Sequence, residues 1–210
     1  VSNQVVIIGA VRGGTTATSG VVRSLGIPFP ESNDQHENPA LLREFLIHGR
    51  EDMVHKYDAM YPVWGQKMLV MRDSEVFGAR LWQMDNPLVI CVWRDIMAID
   101  EKGGAHPPVN KHWRSWKKLL FSQYELVQML HGMGFDIPTM HLSYEKLCKN
   151  TETEVRRIKD FIEAGVGITI PEELVPEAVK YVRPGKYWPW ENPIDPVKRH
   201  VTHNITTGSD

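Results

Sequence analysis

Val5 to Ile8, four apolar residues without a break, run straight into a turn bracketed by Gly9, Gly13 and Gly14, and Thr15 to Leu25 can wind as a helix behind it. A buried strand feeding a helix through glycines gathers backbone N–H groups around one point, here joined by the hydroxyls of Thr15 and Thr16 and the cation of Arg12. Such a point holds an anionic group, a phosphate or a sulfate. Gly9 to Thr16 keeps the spacing of a GxxxxGK[ST] phosphate loop, with Thr15 where the lysine of an ATPase would stand. Arg12 carries the charge from an earlier position, and its planar fork can contact two oxygens of one group where a lysine would act as a point charge. The plainer alternative is a tight glycine turn with Arg12 solvated.

The remaining segments follow the same strand-and-helix rhythm. Asn38 is placed to cap a short helix through Ile47, with Pro39 in its first turn. Val63 to Met68 reads as a second strand, Ser74 to Gln83 as a helix, and Leu88 to Trp93 as a strand of continuous apolar character, which suits a parallel sheet covered on both faces. Residues 103–110, GGAHPPVN, fit neither periodicity and read as a loop. Trp113 to Met133 is the longest helical stretch, Thr139 to Leu142 a further strand, and Thr151 to Ala164 a helix with Glu154 and Arg157 spaced to pair. The expectation is an α/β fold, a mostly parallel sheet flanked by helices, in one domain over 1–194. Residues 195–210, after a proline-rich stretch, are expected to form a surface tail.

Composition narrows the function classes. In 210 residues, 24 Lys and Arg stand against 26 Asp and Glu, a formal charge of −2, so a broad attraction to nucleic acid is not expected. Cys91 and Cys148 are too few for a disulfide scaffold and are expected as reduced thiols. No apolar run reaches membrane-spanning length and the chain opens on a strand, so a cytoplasmic protein with no membrane partner is expected. His48, His55, His106, His112 and His131 show no local ligand spacing, and no metal is expected. The Asn204–Thr206 sequon carries no weight without a secretion signal.

On these residues the chain resembles the sulfotransferase family. Gly9, Arg12, Gly13, Gly14, Thr15 and Thr16 are similar to that family's cofactor loop, with Val11 in place of its proline and Gly13 in place of its serine. The resemblance implies a P-loop NTPase-like sulfotransferase architecture, 3'-phosphoadenosine 5'-phosphosulfate (PAPS) as donor and 3'-phosphoadenosine 5'-phosphate (PAP) as product. It also implies that Arg12 contacts the transferring group and that Gly14, Thr15 and Thr16 bind the 5'-phosphate. Val89 to Asp95, VICVWRD, resembles the second signature, in which the arginine, here Arg94, binds the 3'-phosphate; Lys102 stands where members carry a serine. Arg94 could instead pair with Asp95 or Asp100. Arg183, Gly185 and Lys186 are similar to the late basic loop that closes over the nucleotide, and Trp188 could stack on the base or pin the tail. LSYEKL at 142–147 resembles a further family segment, with Lys146 in place of its aspartate, and Tyr144 and Glu145 read as structural there.

Sulfuryl transfer needs a base for the acceptor proton and cations for the charge on sulfonate and leaving phosphate. Glu37 looks like the base of the Golgi-type carbohydrate sulfotransferases, and His36, which needs little tuning near neutral pH, is the second candidate. Either could equally cap or tether the short helix. Lys67, in WGQKML, resembles the lysine that contacts the sulfonate, with Met68 and Leu69 in place of a small polar residue and proline. The ammonium in a mixed apolar strand needs an anion or an exit to solvent, unless it is an edge-strand lysine that blocks pairing. The resemblance implies a small-molecule or carbohydrate acceptor bearing a hydroxyl or amine, whose identity the sequence leaves open. Trp113, Trp116 and Tyr124 could touch it, or could form with Leu120 the buried stripe of their helix. The oligomeric state is left open. The competing functions are an ATP-dependent small-molecule kinase, with Asp73 or Asp95 near Mg²⁺, and a nucleotide-binding protein without catalysis.

Overall fold

The computed structural model describes residues 2–10, 13–69, 78–94, 116–134 and 136–182. The opening apolar run forms strand β1, Asn3–Gly9, and Val5 to Ile8 are wholly buried. Each such side chain contributes about 1.5–3 kcal/mol of burial free energy, and all four can be buried because both faces of the strand are covered. Three parallel strands accompany it: β2, Val63–Leu69, β3, Pro87–Trp93, and β4, Thr139–Ser143, in the order β2-β1-β3-β4. Ile7 lies opposite Lys67 of β2 and Ile90 of β3, and Ile90 lies opposite Met140 of β4.

Helix α1, Thr15–Ser24, packs on the face that carries Val5, Ile7, Ile90, Val92 and Leu142, together with α6, Thr151–Val166, and α7, Leu174–Tyr181. The opposite face, with Val6, Ile8, Val89 and Cys91, is covered by Leu41 of α2, Pro39–Leu41, by Phe45 of the π-turn Leu42–Ile47, by Val54 and Tyr57 of α3, Asp52–Met60, and by Leu126, Met129 and Met133 of α4, Trp116–Met133. A short α5, Tyr144–Lys149, follows β4 directly, with Ser143 as its cap accepting from the Lys146 N–H. The chain moves from β1 to β2 on one side and then to β3 on the other. That reversal falls at the carboxyl ends of β1 and β3, the position at which open α/β sheets bind their ligands.

Several expectations change in detail. The helix expected to run from Asn38 to Ile47 starts as predicted, the Asn38 side chain accepting from the Leu41 N–H at 3.0 Å, but widens into a π-turn after Leu41. Of the helix expected over Ser74–Gln83, residues 78–80 are helical and Leu81–Gln83 form a 3₁₀ turn, while 74–77 lie outside the described residues. The buried stripe of α4 is Leu126, Met129 and Met133, whereas Tyr124 is 57% exposed. Tyr124, expected with Trp113, Trp116 and Leu120 in the buried stripe, is therefore not part of it; Trp113 lies outside the described residues. Helices α3 and α7 had no counterpart in the sequence reading. Glu154 and Arg157 pair at 2.5 Å as their spacing predicts, and both cysteines are free thiols. The expected loop at 103–110 and the tail at 195–210 lie outside the described residues.

Candidate anion-binding and transfer site

The carboxyl edge of the sheet collects the candidate residues. After β1, Gly13 folds back so that its N–H donates to the Ala10 carbonyl at 2.8 Å, and Gly14 takes a φ of +97° at the N-cap of α1. Gly14 is needed twice over: that φ is in the left-handed region, and a Cβ there would lie 2.1 Å from the Tyr144 ring. Among the described residues no side chain caps α1, and no carboxylate stands in its first turn. The helix dipole makes this end favourable for an anion, with Thr15 buried and Thr16 half-buried beside it.

Lys67 brings a buried cation to this point. It sits on the face of β2 turned toward α1 and is 2% exposed. Its Nζ donates to Thr16 Oγ1 at 2.8 Å and to the Gln35 carbonyl at 3.0 Å, and pairs with Glu37 Oε1 at 2.8 Å. The ammonium is thus held by two hydrogen bonds and one ion pair. β2 is an edge strand, but the Lys67 ammonium is held inside the molecule and does not guard that edge. Burial pulls its pKa below the ordinary 10.5, and the Glu37 carboxylate opposes that shift. The Glu37 side chain is 18% exposed, so this carboxylate reaches both the buried ammonium and solvent.

The turn carrying Glu37 is tied down on several sides. Asn33 Oδ1 accepts from the N–H groups of Gln35 and Glu37, and the Asn33 N–H donates to the Glu37 carbonyl. His36 takes a φ of +60° and sends a 2%-exposed ring away from Lys67, where Nε2 meets Tyr181 Oη at 3.0 Å and Nδ1 meets Arg23 at 3.4 Å. Asn38 donates to the Pro30 carbonyl and to Tyr57 Oη.

Arg94 follows β3 into the same edge. Its guanidinium lies 4.8 Å from the Tyr144 ring centroid and 3.8 Å from Glu145, while its carbonyl accepts from Gln123. Tyr144 therefore sits between the Gly14 turn and Arg94, and burial pushes its phenol up to about 12. Gly13, Gly14, Thr15, Thr16, His36, Glu37, Lys67 and Arg94 all fall within this region of the fold, and Thr16, Lys67 and Glu37 touch. Arg12, Lys102, Arg183, Gly185 and Lys186 lie outside the described residues, as do Asp73, Asp95, Asp100, Trp113 and Trp188. Tyr181 and Arg23 were missed by sequence reasoning, because no motif marks a residue that reaches the site through a neighbour's imidazole.

No protein-family profile and no curated protein matches the sequence. Solved structures do match in fold. A mouse sulfotransferase, SULT7A1, complexed with PAP aligns at 12% identity with a TM-score of 0.52, over 85% of this chain and 64% of its own. A sugar kinase from Janibacter sp., unliganded, aligns at 13% identity with a TM-score of 0.50, over 80% of this chain and 99% of its own. The chain thus has a sulfotransferase-like P-loop fold, shared with a kinase, and spans under two thirds of the sulfotransferase it matches.

Proposed function

We propose that the protein transfers a sulfuryl group from PAPS to a hydroxyl or amine of a small-molecule or carbohydrate acceptor, without a metal ion. The observation that carries this reading is the Lys67 ammonium, buried between Thr16 of the anion loop and the Glu37 carboxylate. A cation enclosed at an uncapped helix N-terminus fits an anionic transferring group, and its other partner is a solvent-reaching carboxylate able to take an acceptor proton.

The donor's 5'-phosphate is taken by the N–H groups and hydroxyls of Gly13, Gly14, Thr15 and Thr16. Arg12 and Lys67 hold the sulfonate, and Arg94, Lys102, Arg183, Gly185 and Lys186 hold the 3'-phosphate end. Lys67 is held in the free protein by Thr16, Gln35 and Glu37, and a sulfonate oxygen competes with these partners for the ammonium. Exchange at Glu37 releases that carboxylate from its cation to face the acceptor. The acceptor proton passes to Glu37, the acceptor oxygen or nitrogen forms a bond to sulfur, and the bond from sulfur to the 5'-phosphate oxygen breaks, its electron pair leaving on PAP. Both ring nitrogens of His36 are already engaged, which favours Glu37 as the base, with His36 holding the turn.

The test is a donor comparison in EDTA over a panel of alcohols, amines and sugars. Product from PAPS and none from ATP is expected. Strict dependence on ATP and Mg²⁺ would establish the kinase reading, which the Janibacter neighbour's fold also accommodates, and tight PAP binding with no turnover would leave a nucleotide-binding protein.

A further inference from the structure

We infer that Tyr181 is a positioning residue for the transfer site, acting through His36 to set the clasp that Gln35 and Glu37 make on Lys67. The inference rests on the reading of Glu37 and Lys67 given above, and its observations lie on the opposite side of the turn. Tyr181, the last residue of α7, lies flat on α1, where a Cβ on Gly20 would come within 1.8 Å of its ring. An alanine at position 20 would force it off, so the helix contact fixes where the phenol ends. That phenol meets His36 Nε2 at 3.0 Å.

The protonation of the bridge follows from its neighbours. A guanidinium can only donate, so the Arg23 contact at 3.4 Å requires Nδ1 of His36 to accept. The neutral imidazole then carries its proton on Nε2 and donates to Tyr181 Oη. The ring also meets Phe29 edge-on at 5.8 Å between centroids. A buried ring with both nitrogens and one edge engaged can hold its residue in the left-handed region, which a non-glycine residue occupies only when its surroundings over-determine it. That backbone setting is what aims the Gln35 carbonyl and the Glu37 side chain, one residue to either side, at the same ammonium. Chain order hides the connection, because Tyr181 is 145 residues from His36.

Tyr181→Phe keeps the ring on Gly20 and removes only the hydroxyl. The variant is expected to fold and to bind PAP within about twofold of the parent while kcat falls about 100-fold, the cost of displacing a reacting group by about 1 Å. The ¹⁵N resonance of Lys67 Nζ in the nucleotide-free protein should shift, since its oxygen partners have moved. His36→Gln, whose amide can still reach Tyr181 Oη, should retain more activity than His36→Asn, although asparagine suits the left-handed backbone better; the reverse order would show that backbone conformation alone matters. An unchanged kcat and an unchanged Lys67 resonance in Tyr181→Phe would overturn the inference. If the parent transfers no sulfuryl group the function proposed above fails, and the Lys67 resonance still decides whether Tyr181 sets the clasp.

Discussion

At Gly14 the backbone and the packing make the same demand. A φ of +97° excludes most side chains, and the Tyr144 ring occupies the place a Cβ would take. Gly14→Ala is expected to cost about 2–5 kcal/mol in denaturant unfolding, from left-handed strain plus forced displacement of the half-buried Tyr144 ring, and to abolish PAP binding. Lys67 supports a prediction in pH. Its folded pKa lies below 10.5, so between the two values the unfolded chain binds more protons, and stability rises as pH climbs toward 10.5. Glu37→Gln removes the ion pair that opposes the shift, and this window then opens further toward neutrality. Unfolding free energies of Glu37→Gln should climb more steeply than those of the parent from about pH 8 to 10, and Lys67→Met/Glu37→Gln should lose the extra slope. Equal slopes in parent and Glu37→Gln would mean that the carboxylate does not hold the ammonium. The residue types at 37 and 67 were legible in the sequence because an ammonium amid apolar neighbours demands an anion. Their contact was not, because nothing local to either segment states that Lys67 faces α1.

Among the elements, those with a local cause were the legible ones. β1 and β3 announce themselves as apolar runs buried on both faces, and α1 as the helix beyond a glycine turn. Helix α2 was legible from Asn38 and Pro39, a cap followed by a residue with no N–H to lose. Its widening into a π-turn was not, since that depends on Phe45 and Leu41 seating against the sheet. Helix α7 was obscured by Pro176, which falls in its first turn, where a missing N–H costs nothing. The consequence is that Tyr181, which α7 delivers, was invisible as a site residue. Asn38 also allows a prediction about how an element holds the site. It caps α2, donates to the Pro30 carbonyl at 3.1 Å and to Tyr57 Oη at 2.8 Å, and adjoins Glu37. Asn38→Ala removes the cap and leaves a buried carbonyl without its donor, a cost of about 2–4 kcal/mol in thermal or chemical unfolding. Asn38→Asp, which keeps the acceptor and loses the donor, should fall between the two. A loss under about 0.5 kcal/mol for Asn38→Ala would place the order of this turn elsewhere.

For the whole molecule, the parallel sheet order decides where chemistry can occur, because it sets the carboxyl ends of β1, β2 and β3 along one edge, where the Gly14 turn, Lys67 and Arg94 lie. The same packing that shapes this edge buries two phenols on opposite faces of the sheet. Tyr57 is pushed up to about 12 by burial and by its hydrogen bond to Glu31, and Tyr144 to about 12, chiefly by burial. For an acid whose folded pKa is raised, the stabilising contribution is complete below the unfolded value of 10.0 and is lost as pH rises from there to about 12. Cys91 acts in the same direction, its thiol also pushed up by burial. Lys67 has the opposite sign and is spent by 10.5, so the stability curve should turn over and fall through the range in which the tyrosines ionise. Phenolate absorbance followed with circular dichroism should show Tyr57 and Tyr144 ionising only as the helical signal collapses. Complete phenolate formation near pH 10 without loss of helix would contradict the burial of Tyr57 and Tyr144, and with Tyr144 would go the wall between the Gly14 turn and Arg94 on which the site is built.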